Sequence, residues 1–248
     1  MLRTAPKKSS STVPFLSDSV EDILKLGEKN QFSNSLFSQL VKLIATVIVL
    51  ISVLVMYGWI LNVELLKSFL PDRALMNFIV ATLFFVSGIE LFFITRSVQG
   101  HKEVSQVVFP ATSIFILLIA STILTASVIK IQTGIETLLL DDSQISADVT
   151  VSKVQEVPSM ISFIIFALVG ILTLMNFRRL NLVYFFAGFL FSILGILAIL
   201  GHLFNVTLLY YNAPGISAPM SVSVAVMFIL LGMGLVLTAL ESKRATLR

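Results

Sequence analysis

The chain has 248 residues, of which 56% are hydrophobic and only 12% charged, with a formal net charge of +3. Soluble domains carry roughly a quarter charged residues, so this composition excludes an ordinary soluble enzyme, and its apolar excess excludes a disordered chain. Zero cysteines exclude disulfides, thiolate metal sites, iron–sulfur clusters and cysteine catalysis, and His101 and His202, the only histidines, leave little for a histidine-rich metal centre.

Residues 1–42 read as a cytoplasmic segment. They are not a signal peptide, because the first apolar run starts too late and is too long. Met1–Pro14 is polar, rich in Ser and Lys, and expected to be disordered. Asp18 and Glu21 form a capping pair, and Val20, Ile23 and Leu24 follow helical spacing up to Gly27, a plausible stop. That predicts a short amphipathic helix, which lies on the inner membrane face, docks on a partner, or frays without a role.

Six segments then reach the roughly 20 apolar residues that a membrane helix needs: Leu43–Leu61, Ala74–Thr95, Val107–Ile129, Val157–Phe177, Leu182–Phe204 and Pro219–Leu240. Runs such as Ile114–Ala120 and Phe189–Leu197 do not alternate apolar with polar, which favours helices over a β-barrel. Glu90 is the only charged residue inside these segments, and His202 the only imidazole.

Orientation follows from Lys and Arg. Arg3, Lys7, Lys8, Lys25, Lys29, Lys42, Arg96, Lys102, Arg178, Arg179, Lys243, Arg244 and Arg248 fall on one side, against Lys67, Arg73, Lys130 and Lys153 on the other. Both termini are therefore expected in the cytoplasm of an inner or plasma-type membrane. The basic residues sit at membrane edges, so no nucleic-acid binding is read from them. The expected fold is an all-α integral membrane domain over 43–240: six transmembrane helices as three tandem helix–outer loop–helix hairpins, followed by a basic cytoplasmic tail, 241–248.

The hairpins share a pattern. Gly58-Trp-Ile-Leu-Asn-Val-Glu-Leu-Leu66 matches Gly201-His-Leu-Phe-Asn-Val-Thr-Leu-Leu209. Pro71 then leads to Met76, and Pro214 to Met220. Ala81, Phe84 and Gly88 follow the first Met at the spacing at which Ala225, Phe228 and Gly232 follow the second. A weaker third copy puts Lys130-Ile131 in place of Asn-Val, and Pro158 before Met160. In this unit Asn62 and Asn205 cap the last carbonyls of the first helix, Leu65-Leu66 and Leu208-Leu209 lie back as a short lid, and the proline restarts the chain. Small residues on the second helix allow close approach. Tyr57, Trp59, Tyr210 and Tyr211 are expected in an aromatic belt at the outer interface.

These residues carry a resemblance. Gly58-Trp59, Leu66, Pro71, Met76, Ala81, Phe84 and Gly88, and again Met220, Ala225, Phe228, Gly232 and Gly234, resemble the multi-span input regions of prokaryotic sensor proteins, which precede PAS, histidine-kinase or diguanylate-cyclase modules. The likeness runs from Leu43 to Leu240. The chain departs from that pattern after each Met, where the family often has Pro-Asn-Thr-Ala. No output module follows Leu240 in this sequence. The resemblance implies a signal-input role and a separate signalling partner.

Of the candidate chemistry, Glu90 stands out, because a carboxyl within a span is expensive. It is read either as a proton- or cation-sensitive switch or interhelix anchor, or as a Glu paired with Arg96 or with a neighbour's Ser or Thr. His202 takes the place of Trp59 in the repeat. A haem ligand or pH sensor competes there with a polar belt residue. The acids Asp141, Asp142, Asp148 and Glu156 lack EF-hand spacing and read as a solvated loop. No phosphate loop, nucleophile elbow or zinc motif is present, so no catalysis, cofactor or metal is expected. The leading expectation is a sensor-like input module that contacts lipid and a cytoplasmic or membrane protein partner, with a second copy of itself as another partner. The alternatives are a scaffold subunit of a membrane complex and a small-solute or lipid carrier.

Overall fold

A computed structural model describes residues 14–63, 75–99, 105–129, 156–175, 177, 179–212 and 217–246, of which 14–35, 105–106 and 244–246 are described by backbone only. Six helices follow in order: α1 (Pro14–Ile60), α2 (Phe78–Val98), α3 (Ser105–Ile129), α4 (Val157–Leu174), α5 (Leu180–Phe204) and α6 (Val222–Thr246). Among the described residues there is no β-strand. Met1–Leu36 and Phe37–Arg248 are two compact units, and the packing described below is that of the second.

Each helix holds a stretch long and apolar enough to cross a membrane: Leu36–Ile60, Phe78–Val98, Val107–Ile129, Val157–Leu174, Leu180–Phe204 and Val222–Lys243. These coincide with the six apolar segments of the sequence to within four residues at every end but one, the first stretch beginning at Leu36 rather than Leu43. The N-terminal helix is longer than expected, because α1 continues through Gly27 without a break. One interior glycine costs a helix only about 1 kcal/mol, and the Lys, Glu and Leu residues around it favour helix. Residues 1–13, expected to be disordered, lie outside the described residues.

The helices divide into two layers. Buried positions make up 67, 50 and 61% of the apolar stretches of α2, α4 and α6, against 33, 28 and 33% in α1, α3 and α5. The second, fourth and sixth helices therefore form the core, and the odd-numbered ones clothe it. At its centre, one phenylalanine from each inner helix meets the others. Phe84 lies 4.9 Å from both Phe163 and Phe228, ring centre to ring centre, and Phe163 lies 5.4 Å from Phe228. The two closest pairs approach edge to face, a geometry worth about 0.5–1.5 kcal/mol beyond the area buried. Large apolar side chains such as Leu43, Leu50, Ile114, Leu118 and Phe186 point outward, giving an exterior suited to lipid rather than water.

Small residues let neighbouring helices pack closely. Gly88 of α2 sits against Ala45, Ile48 and Val49 of α1. Along the α5–α6 seam the backbones nearly touch. A Cβ on Gly188 would lie 2.6 Å from the Gly232 carbonyl oxygen, and one on Gly232 would lie 2.3 Å from Ser192 Oγ and 2.5 Å from the Gly188 carbonyl oxygen. Close approach of this kind drives helix association where lipid offers no hydrophobic gain.

Candidate functional site

Glu90 lies on the inner face of α2, fully buried where α2, α3 and α4 meet. Ser113 of α3 donates its hydroxyl to Glu90 Oε1 at 2.6 Å. Gly170 of α4 provides the space: a Cβ there would lie 1.7 Å from Glu90 Oε1 and 2.3 Å from Ser113 Oγ. Of the partners the sequence offered, Arg96 or a neighbour's hydroxyl, the hydroxyl of Ser113 holds the carboxyl. The other carboxyl oxygen, Oε2, is buried with no hydrogen-bond partner among the described residues, as is Ser87 Oγ one turn earlier on α2. Each such atom costs about 1–3 kcal/mol. The sequence marks Glu90 as an oddity but does not reveal Ser113 or Gly170, which are ordinary residues in apolar helices.

Trp59 and His202 turn inward at one end of the bundle. The indole Nε1–H donates to the Met76 carbonyl at 2.9 Å, and His202 Nε2 lies 2.7 Å from the Met220 carbonyl. Each ties the end of an outer helix to the residue leading into the next inner helix. Trp59 is 8% exposed while Tyr57 is 54% exposed, so Trp59 belongs to the core and not to the expected belt. His202 also stacks on Tyr210, ring centres 4.6 Å apart. Asn62 and Asn205 both take the left-handed conformation, φ 54°. The main chain beyond them closes the helix ends, with Val63 N–H bonding the Gly58 carbonyl at 2.9 Å and Val206 N–H the Gly201 carbonyl at 3.0 Å. Met76 and Met220 are fully buried. Pro71 and Pro214 lie outside the described residues. Trp59→Phe removes the Met76 bond while keeping an aromatic ring. It is expected to lower stability by about 1 kcal/mol, read from the denaturation midpoint in detergent.

The first turns of the inner helices are closed by the same main-chain bond. Met160 N–H bonds the Glu156 carbonyl at 3.2 Å, as Ala81 N–H bonds Asn77 and Ala225 N–H bonds Ser221, both at 3.0 Å. Phe163, three residues after Met160, lies beside Phe84 and Phe228, which stand three residues after Ala81 and Ala225. Glu156 thus takes the capping place of Asn77, whose side chain accepts from Ile79 N–H at 3.0 Å, and of Ser221, which accepts from Val224 N–H at 3.2 Å. Glu156 is not a solvated loop acid. It is 7% exposed, accepts from Ser159 Oγ at 2.7 Å and bonds the Ser221 backbone N–H. Burial pushes its carboxyl up to about 7 against the pull of those two donors. Asp141, Asp142 and Asp148 lie outside the described residues.

At the opposite end Gln99 is a hub that the sequence did not signal. Its amide nitrogen donates to Ser38 Oγ and, at 3.4 Å, to Glu241 Oε1, while Lys42 Nζ donates to its oxygen at 3.1 Å. Glu241, read from the sequence as the first residue of an exposed tail, is buried at this junction of α1, α2 and α6. Among the described residues no group of three or more His, Cys, Asp or Glu side chains could hold a metal ion. No protein-family model, curated protein or solved structure matches the chain.

Proposed function

We propose that the chain is a membrane-embedded, sensor-like input module. It has three tandem hairpins, α1–α2, α3–α4 and α5–α6, related as repeats, with both termini in the cytoplasm of an inner or plasma-type membrane. Lipid surrounds the outer helices, and a cytoplasmic or membrane signalling protein reads the bundle's state. The motif likeness to prokaryotic sensor input regions supports this reading. So does the recurrence of helix-end bonds at Trp59–Met76 and His202–Met220.

The observation that carries it is the junction at Glu90. A core packed with phenylalanine holds two buried polar atoms, Glu90 Oε2 and Ser87 Oγ, with hydrogen bonds unmet among the described residues. An arrangement or stimulus that supplies a partner gains about 1–3 kcal/mol per atom. Coupling energies of that size shift a two-state equilibrium roughly 5- to 150-fold. A sensor needs this property: two states that a stimulus distinguishes.

The α5–α6 seam favours a second reading, a scaffold subunit. Backbones locked at Gly188 and Gly232 make a pair without room to slide. Purification in mild detergent with mass spectrometry of the co-purifying proteins separates the two. A kinase, cyclase or receiver protein supports the sensor. Stoichiometric recovery with another integral complex makes the chain a structural subunit.

A further inference from the structure

The His202 end holds a cluster of which the function above uses only the His202–Met220 bond. A single peptide group, between Met220 and Ser221, is held from both sides by ionisable side chains. Its carbonyl faces His202 Nε2 at 2.7 Å, and its N–H bonds the Glu156 side chain. The cluster is closed around this peptide. Tyr210 stacks on His202, the Tyr210 carbonyl accepts the Met220 N–H at 2.9 Å, and Ser159 holds Glu156 Oε2 at 2.7 Å. Three elements meet there: the end of α5, the start of α4 and the strand of chain entering α6. The corresponding place at the α1 end has no such pair. There an indole, Trp59, bonds the Met76 carbonyl, and the next residue is Asn77, which does not ionise.

We propose that this cluster is a proton-coupled latch: parting the start of α4 from the α5–α6 connection releases the Glu156 carboxyl to water and with it a proton. The closed cluster offers the carboxyl two donors, Ser159 Oγ and Ser221 N–H, but almost no water. The titratable groups on the elements packed around it are His202 on α5 and Tyr210 and Tyr211 on the connection. The start of α6 contributes Ser221 and Ser223 and no charged residue. Among the described residues no Lys or Arg side chain stands in the cluster to hold the carboxylate once it forms.

The sign follows from linkage. Glu156 titrates near 7 when closed and near its ordinary 4.5 when exposed. The closed form is then favoured most below 4.5, loses ground as pH rises, and reaches its minimum above 7. Between pH 5.5 and 8.5 the open-to-closed ratio rises on the order of ten- to thirtyfold. The latch does not depend on whether the chain signals.

The experiment uses the full chain, which has no cysteines. Spin labels are placed at Ile161→Cys on α4 and Leu208→Cys on the connection, both exposed positions, and the distance distribution is read in lipid nanodiscs at pH 5.5 and 8.5. The longer-distance population is expected to grow at pH 8.5 with Glu156 present and to be the same at both pH values in Glu156→Gln. A distribution that ignores pH, or that shifts equally in Glu156→Gln, overturns the proposal. His202→Trp installs the indole of the α1 end and provides a second variant. A surviving pH response assigns the titration to Glu156, and a lost response assigns it to His202 and overturns the proposal.

Discussion

Gly170→Ala is expected to destabilise the bundle by about 3 kcal/mol, at the upper end of the overpacking range. Adding Glu90→Ala is expected to recover much of that loss. The methyl group at 170 would stand 1.7 Å from Glu90 Oε1, well inside any permissible contact. The carboxyl has nowhere to go, because Ser113 flanks the same position and the surrounding side chains are fully buried. Either the carboxyl abandons Ser113 or α4 moves away from α2, and both forfeit buried contacts. Glu90→Ala alone leaves a cavity and an orphaned Ser113, a loss of about 2 kcal/mol. If the two sites were independent, the double variant would carry the sum. Because one side chain occupies the space of the other, the cycle is expected to show about 1–3 kcal/mol of favourable coupling. Reversible unfolding in mixed micelles measures all four corners. Additive losses would mean that Gly170 does not make room for the carboxyl.

Gly232→Val is expected to cost about as much for a different reason. It sets a branched side chain where even a Cβ would lie 2.5 Å from the Gly188 carbonyl oxygen, so α5 must swing away from α6. Because α5 covers α6 over most of its length, the loss is expected to exceed about 3 kcal/mol, beyond the common range of single substitutions. Met233→Val is the control. Met233 points outward and is 47% exposed, so the same change one residue later is expected to shift stability by no more than about 0.5 kcal/mol. Similar losses at both positions would show that β-branching, not the seam, sets the cost.

The six spans were legible because lipid imposes one rule on every residue in a helix, and length and apolarity read it directly. That Trp59 and His202 each bond a Met carbonyl was not legible. An aromatic residue near a helix end looks the same in sequence whether it faces headgroups or turns inward to a carbonyl. Glu90 announced itself by cost, whereas Gly170 and Ser113 are common in any membrane helix and acquire meaning only by standing opposite it. The meeting of Phe84, Phe163 and Phe228 was not legible, because contacts between distant helices leave no local pattern. Gln99 and Glu241 were missed because they lie at helix ends, where polar residues are expected and their convergence leaves no local pattern. Glu156 was misread for a related reason: an acid next to an acidic loop reads as solvated unless the burial of its side chain is known.

The arrangement in the membrane underlies both the partner and the latch, and the cysteine-free chain makes it measurable. Single cysteines at Ser9, Ser143 and Thr246 are treated, in intact cells and after permeabilisation, with a membrane-impermeant maleimide. Three hairpins with both termini inside predict labelling of Ser143→Cys in intact cells and of Ser9→Cys and Thr246→Cys only after permeabilisation. Labelling of either terminus in intact cells, or protection of Ser143→Cys, would contradict it.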